Sequence, residues 1–221
     1  MTVQEVSKEM KILITGPKCS GKSTIGEILA GKLEIPFIET DRLIEQAYEA
    51  EHGESLAFYE ICESVGEQAF RDYERQANKD VCSRDWCVVS VGGSTLLDCE
   101  SRKELRQDSV IVLLRAEPNL LWQRLQQIGK SRYFKKPEAR KNFESHVKNV
   151  TELIELFADI EVDSSGDSHS VADMIAERLF EYMATLSKSP NTVGSLIRLT
   201  TFGDSHGPAF GLYAALPAGG N

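Results

Sequence analysis

The stretch that most constrains this chain is Gly16-Pro17-Lys18-Cys19-Ser20-Gly21-Lys22-Ser23, which fits the pattern G-x-x-x-x-G-K-[ST]. Its setting is the one the pattern requires. Residues 11–15 before it (Lys-Ile-Leu-Ile-Thr) form a short apolar run rich in β-branched side chains, as a buried strand does. After it, Ile25, Ile28, Leu29 and Leu33 recur at helical spacing. Strand, glycine loop and helix in that order cradle a polyphosphate. Gly16 and Gly21 admit backbone angles closed to other residues, so successive N–H groups turn inward. The helix N-terminus adds unpaired N–H groups and the positive end of its dipole. Lys22 reaches the β- and γ-phosphates, and the Ser23 hydroxyl is placed to ligate Mg²⁺. With Lys18, Cys19, Ser20 and Thr24 this loop is the expected ATP-binding set.

The chain has 221 residues, enough for one full domain and a remainder. At 41% hydrophobic it buries a proper core. A formal net charge of −9 argues against a general nucleic-acid binder, which needs a basic face. No stretch approaches the roughly 18 uninterrupted apolar residues of a membrane span. The N-terminus lacks an apolar signal core, so the expectation is a cytoplasmic protein with no membrane partner. Its five cysteines are scattered, and Cys82 and Cys87 have no second pair or nearby histidine to complete a zinc site.

Along the chain, residues 1–9 are polar and read as a leader. Further strands are predicted at residues 36–39, 86–91, 110–114 and 160–162, separated by helical segments at 42–47, 56–61, 69–77, 120–128, 142–157 and 171–183. Strands alternating with helices imply an α/β fold with a parallel, doubly wound sheet of five strands in three layers. Residues 129–141 differ in kind. They carry Lys130, Arg132, Lys135, Lys136, Arg140 and Lys141, interrupted by Pro137, and read either as a mobile cationic lid over phosphates or as a solvated basic loop. The pattern breaks near Ser187-Lys188-Ser189-Pro190, so the main domain is assigned to residues 1–188. Residues 189–221 are too few to build a core of their own.

Three groups are expected to converge on the phosphate loop, because open α/β sheets bind ligands at the C-terminal ends of their strands. Glu39 and Asp41, two apart at a strand end, point to one side. One would hold Mg²⁺ through water and the other contact an acceptor hydroxyl. Arg71 lies in Phe70-Arg71-Asp72-Tyr73-Glu74, within a helix of mixed charge, where a surface ion pair is the plainer reading. Gly92-Gly93 ends a buried strand and allows a substrate close to backbone, as would any tight turn.

Taken in order, these motifs make residues 11–186 resemble the shikimate kinases, small P-loop kinases of nucleoside monophosphate kinase-like fold. The family's D-T-D is matched by Glu39-Thr40-Asp41, its F-R-x-x-E by Phe70–Glu74 and its G-G-G by Gly92-Gly93-Ser94. Its lid arginine corresponds best to Arg132, and Arg124 resembles its adenine-stacking arginine. The resemblance implies Mg²⁺-dependent transfer of the ATP γ-phosphate to the 3-hydroxyl of shikimate. It implies that Asp41 orients the ring hydroxyls and draws off the proton, and that Arg71 forks onto the substrate carboxylate. Gly92 and Gly93 would offer backbone N–H groups, and Ser23 and Glu39 would serve the metal. Lys22 and Arg132 would neutralise the transferring phosphoryl.

The sequence also departs from the family. Glu39 is one methylene longer than the metal-side aspartate, and Ser94 replaces the third glycine. The region matching the carboxylate-gripping R-x-P-L-Y reads Lys148-Asn149-Val150-Thr151-Glu152-Leu153-Ile154, in which Lys148 is the nearest cation. Residues 194–207 look like the N-terminus of chorismate synthase, with Phe202-Gly203-Asp204-Ser205-His206-Gly207 in place of F-G-E-S-H-G. That second resemblance implies a natural fusion of two enzymes of one pathway, here with an incomplete synthase segment that has no activity of its own and a main domain that is monomeric as a fragment. The alternatives are a degenerate nucleotide-binding module that regulates a fused synthase, and a kinase of another small hydroxy acid such as gluconate.

Overall fold

Alternation along the strands sets the layers. In β1 (Lys11–Thr15), Ile12 and Ile14 face one side of the sheet and Leu13 the other. In β4 (Ser109–Arg115), Val110, Val112 and Leu114 join the first side, while Ile111 and Leu113 join the second. Each face therefore needs its own cover, as a sheet buried on both sides does. The computed structural model describes residues 10–129, 134, 138–187, 200–204 and 207–211.

The first face is covered by α1 (Lys22–Leu33), through Ile25, Leu29 and Ala30, and by α8 (Ser168–Ser187), through Val171, Ala172, Ile175 and Leu179. The second is covered by α4 (Glu67–Cys82), by α5 (Cys99–Leu105) through Leu105, and by α7 (Ala139–Glu155) through Val150 and Ile154. Between them the sheet runs β2-β3-β1-β4-β5, with β2 at Phe37–Glu39, β3 at Val88–Ser90 and β5 at Ile160–Asp163, all parallel. This is the three-layer, five-stranded arrangement the sequence predicts. The remaining helices are α2 (Thr40–His52), α3 (Phe58–Val65) and α6 (Pro118–Ile128).

Phe58, Phe70, Tyr48 and Ile61 tie α2, α3 and α4 into a second small core beside the sheet. Trp122, Phe143 and Val147 do the same for α6 and α7. These two flanking groups stand on either side of the C-terminal end of β1, which makes the walls of a cleft. Among the described residues no helix is long and apolar enough to cross a membrane.

Some boundaries move. The chain enters α2 at Thr40, so Asp41 sits in a first helical turn and not on a strand end, which removes the strand alternation expected to align it with Glu39. Helix α5 is an addition to the elements read from the sequence, and Asp98 caps it by accepting the Ser101 N–H at 2.8 Å. Downstream of the main domain, β6 (Thr200–Asp204) and β7 (Gly207–Gly211) pair as an antiparallel hairpin. Most of the basic segment, Arg132 included, lies outside the described residues, as do Ser205 and His206.

Candidate active site

The phosphate loop is built by backbone that only certain residues tolerate. Gly16 has φ +143°, and a Cβ there would sit 2.5 Å from the Leu114 carbonyl oxygen. Cys19 also adopts a left-handed angle, φ 69°. The loop leads into α1, whose N-terminus opens on a cleft of about 730 Å³. Lys18, Cys19, Gly21, Lys22, Ser23 and Thr24 line that cleft, whereas Gly16 and the fully buried Ser20 lie behind its surface. The Lys22 ammonium donates to the Gly16 and Pro17 carbonyls at 2.9 and 3.0 Å, which holds it across the mouth of the loop.

Across from the loop, the end of β2 and the first turn of α2 deliver Glu39, Thr40 and Asp41 to the same cleft. Ser23 Oγ donates to Glu39 Oε1, and Arg42 Nε lies 3.2 Å from Glu39 Oε2, so both carboxylate oxygens are engaged. The Thr40 hydroxyl donates to the Ser90 carbonyl at 3.2 Å, pinning α2 to the end of β3. Next along β3 come Gly92 and Gly93. A Cβ on Gly92 would lie 3.9 Å from Asp41 Oδ1, and one on Gly93 would lie 2.9 Å from the Gly16 oxygen. The missing Cβ of Gly93 lets this loop close on the phosphate loop, whereas at Gly92 a Cβ would meet Thr95 Oγ1 at 2.6 Å.

Burial sets the electrostatics. Desolvation lowers the Lys22 pKa to about 8 despite the attraction of Asp41. Desolvation also raises the Asp41 carboxyl to about 6, with Lys22 opposing the rise. A carboxylate and an ammonium that titrate on either side of neutrality, at one cleft, suit proton acceptance and phosphate binding. Burial pushes the Cys19 thiol up as well, more than Lys18, Lys22 and Arg124 pull it down, so it is not an activated thiolate.

Other expected residues fall differently. Arg124, on α6, lines the cleft and donates to the Cys19 carbonyl at 3.2 Å and to the Ser164 carbonyl at 3.0 Å. Arg71 is half exposed and donates to Glu74 at 3.3 Å and to Glu67 at 3.5 Å. It is not among the residues that line the cleft, whose wall here is supplied by its neighbours Phe70 and Glu74. Lys148 lies on a separate groove with its ammonium 3.7 Å from Glu152. The reason is angular. The inward stripe of α7 is Phe143, Val147, Val150 and Ile154, and Lys148 follows Val147 by one residue, about 100° round the helix.

A family model for shikimate kinase matches residues 18–181. The chain belongs to the shikimate kinase family. A shikimate kinase of Symbiobacterium thermophilum is 36% identical over 115 residues, which take in 52% of this chain and 63% of that relative. One from Thermus thermophilus is 30% identical over 172 residues, 75% of this chain and 86% of its own length. Among solved structures, a shikimate kinase from Aquifex aeolicus superposes with TM-score 0.60 at 25% identity, over 79% of this chain and 99% of that one. The Acinetobacter baumannii shikimate kinase, solved in complex with shikimate, reaches TM-score 0.69 at 22% identity over 80% and 97%, a likeness of fold.

Within this family member, sequence motifs leave out several residues that line the cleft. Ile44, Phe58, Tyr59, Cys62 and His146 all line it. Glu74, the last residue of the Phe70–Glu74 motif, lines it as well and shares one helical stripe with Phe70. Phe58, Tyr59 and Cys62 carry no motif, and only the packing of α3 against α2 and α4 brings them in.

Proposed function

We propose that the chain is a shikimate kinase, an ATP-dependent phosphotransferase that places the γ-phosphoryl group on the 3-hydroxyl of shikimate. Family membership supports this reading. The observation that carries it is that Lys22, Asp41 and the Gly92 backbone meet at one cleft, beside a loop shaped for polyphosphate. ATP would lie along the loop and the N-terminus of α1, with Arg124 contributing from α6 and Arg132 serving as the lid arginine that the resemblance implies. Shikimate would lie between Asp41 and Gly92-Gly93, with Arg71 turning from Glu67 and Glu74 to its carboxylate.

In the reaction the acceptor hydroxyl oxygen bonds to the γ-phosphorus while the bond from that phosphorus to the β,γ-bridging oxygen breaks. The electron pair leaves with ADP, and the hydroxyl proton passes to Asp41. Asp41 is ionised above about pH 6 and accepts that proton with little mismatch. Lys22, charged below about pH 8, offsets charge on the transferring group. Ser23 and Glu39 would hold Mg²⁺: a hydroxyl and a carboxylate already in contact are the hard oxygen donors that ion takes. When bound, Mg²⁺ neutralises phosphate charge.

We also propose that residues 189–221 begin a chorismate synthase-like segment fused to the kinase. The similarity of residues 194–207 supports it, and the β6–β7 hairpin spans the Phe202–Gly207 motif. One observation keeps a second acceptor class in view. Lys148 lies away from the cleft, and Arg71, the motif cation for a substrate carboxylate, is paired with Glu67 and Glu74. A coupled ADP-release assay over shikimate, quinate, gluconate and related hydroxy acids tests the reading. Shikimate should give the highest kcat/KM by at least tenfold, and a higher value for gluconate would replace it.

A further inference from the structure

Four buried side-chain polar atoms have no hydrogen-bond partner among the described residues: Thr15 Oγ1, Ser20 Oγ, Asn78 Nδ2 and Trp86 Nε1. Only Asn78 belongs to a residue that also lines the cleft. It is 1% exposed, on α4, and continues the stripe of Phe70, Glu74 and Ala77 that forms the acceptor-side wall. A buried amide N–H left unpaired is disfavoured, and an oxygen that meets it gains correspondingly. The terminal torsion of asparagine is broad, so a small rotation presents the amide to the cleft.

The partner is expected to be neutral. Glu74, one turn away on the same face, and Asp41 opposite both carry carboxylates into this cleft. A second anion beside them is repelled, whereas a hydroxyl accepts from the amide without that cost. We propose that Asn78 determines acceptor specificity by donating its side-chain N–H to a ring hydroxyl of the substrate other than the one phosphorylated. This rests on the reading of the chain as a kinase of a hydroxylated ring acid.

The test pairs Asn78→Leu, similar in size and without a donor, with shikimate analogues that each lack one non-reacting hydroxyl. In the wild-type enzyme one analogue should lose roughly ten- to a hundredfold in kcat/KM. Asn78→Leu should lose about as much on shikimate itself, and nothing further on that analogue, because hydroxyl and amide form one contact. The KM for ATP should stay within about twofold. Asn78→Asp keeps the shape, replaces the donor by an acceptor, and should reproduce the loss if Asn78→Leu does not fold. An unchanged shikimate KM in a folded variant overturns the inference, as do losses that multiply for every analogue. A wild-type enzyme inactive on shikimate overturns the kinase reading first, and the inference with it.

Discussion

Replacing Asp41 by Asn removes the proposed proton acceptor and leaves the shape. At pH 8 nearly all wild-type Asp41 is ionised, since its pKa is about 6. A positioned general base contributes about 10²–10⁴ in rate, so kcat for Asp41→Asn should fall by that factor. Stability should move the other way. The folded pKa is raised from the ordinary 3.8 to about 6, so the protonated form is favoured in the folded state. The stability this confers is full below pH 3.8 and is lost as pH rises through 6. Above that pH the wild-type chain carries a cost on the order of 3 kcal/mol, which the neutral amide avoids. Part of that gain is offset because Lys22 loses its Asp41 partner. At about 2–4 °C per kcal/mol for a chain of this size, Tm at pH 8 should rise by several degrees. The difference should shrink as pH falls below 6. Steady-state kinetics with a thermal melt at pH 8 and pH 5 give both readouts. A kcat within tenfold of wild type, or a lower Tm at pH 8, refutes the assigned role.

For wild type, kcat/KM should rise with pH as Asp41 ionises near 6 and fall as Lys22 loses its proton near 8, a bell whose acid limb disappears in Asp41→Asn. Arg71→Lys breaks only half-exposed ion pairs, so it should cost less than about 1 kcal/mol of stability. The loss of a two-pronged fork should raise the shikimate KM roughly ten- to a hundredfold and leave the ATP KM unchanged, and a shikimate KM equal to that of wild type would remove Arg71 from the substrate site. Gly93→Ala would set a Cβ 2.9 Å from the Gly16 oxygen and displace the phosphate loop, so the ATP KM should rise at least severalfold in a titration of initial rates. Asp159→Ala strips a nearly buried carboxylate from Arg106 (2.5 and 2.7 Å), the Ile111 N–H (2.8 Å) and Tyr182 (3.0 Å). Arg106 is left in solvent, so the main loss is the unpaired Ile111 N–H, and stability should fall by about 1–3 kcal/mol in denaturant melts with little change in KM.

The strands and the phosphate loop are legible because their signals are local. Residues 11–15 are apolar, β-branched and followed at once by the glycine motif, and β1 spans those same residues. By contrast, residues 86–91 read as one strand, yet the ladder covers only Val88–Ser90, because the register with the short β2 fixes its extent. Helix α5 escapes a sequence reading although Asp98 is a good cap, since its seven residues carry too few apolar positions for a periodic signal. Residues that motifs name, such as Lys22, Asp41 and Gly92, line the cleft. Arg71 shows the limit. Its motif spacing is plain, but whether it faces substrate or its own helix depends on Glu67 and Glu74, four residues before and three after. His146 and Asn78 enter the cleft through the rotation of α7 and α4 about their axes, which only tertiary packing sets.

The proposed reaction is phosphoryl transfer from ATP to one hydroxyl of shikimate at the cleft that Lys22 lines. Phosphorus NMR of the chain incubated with ATP, Mg²⁺ and shikimate measures it directly. The γ-phosphorus signal should be replaced, in step with ADP, by a single phosphomonoester on the 3-hydroxyl, and Lys22→Ala should form none of it while remaining folded. Conversion of ATP to free inorganic phosphate, or no consumption of ATP in the presence of shikimate, would contradict it.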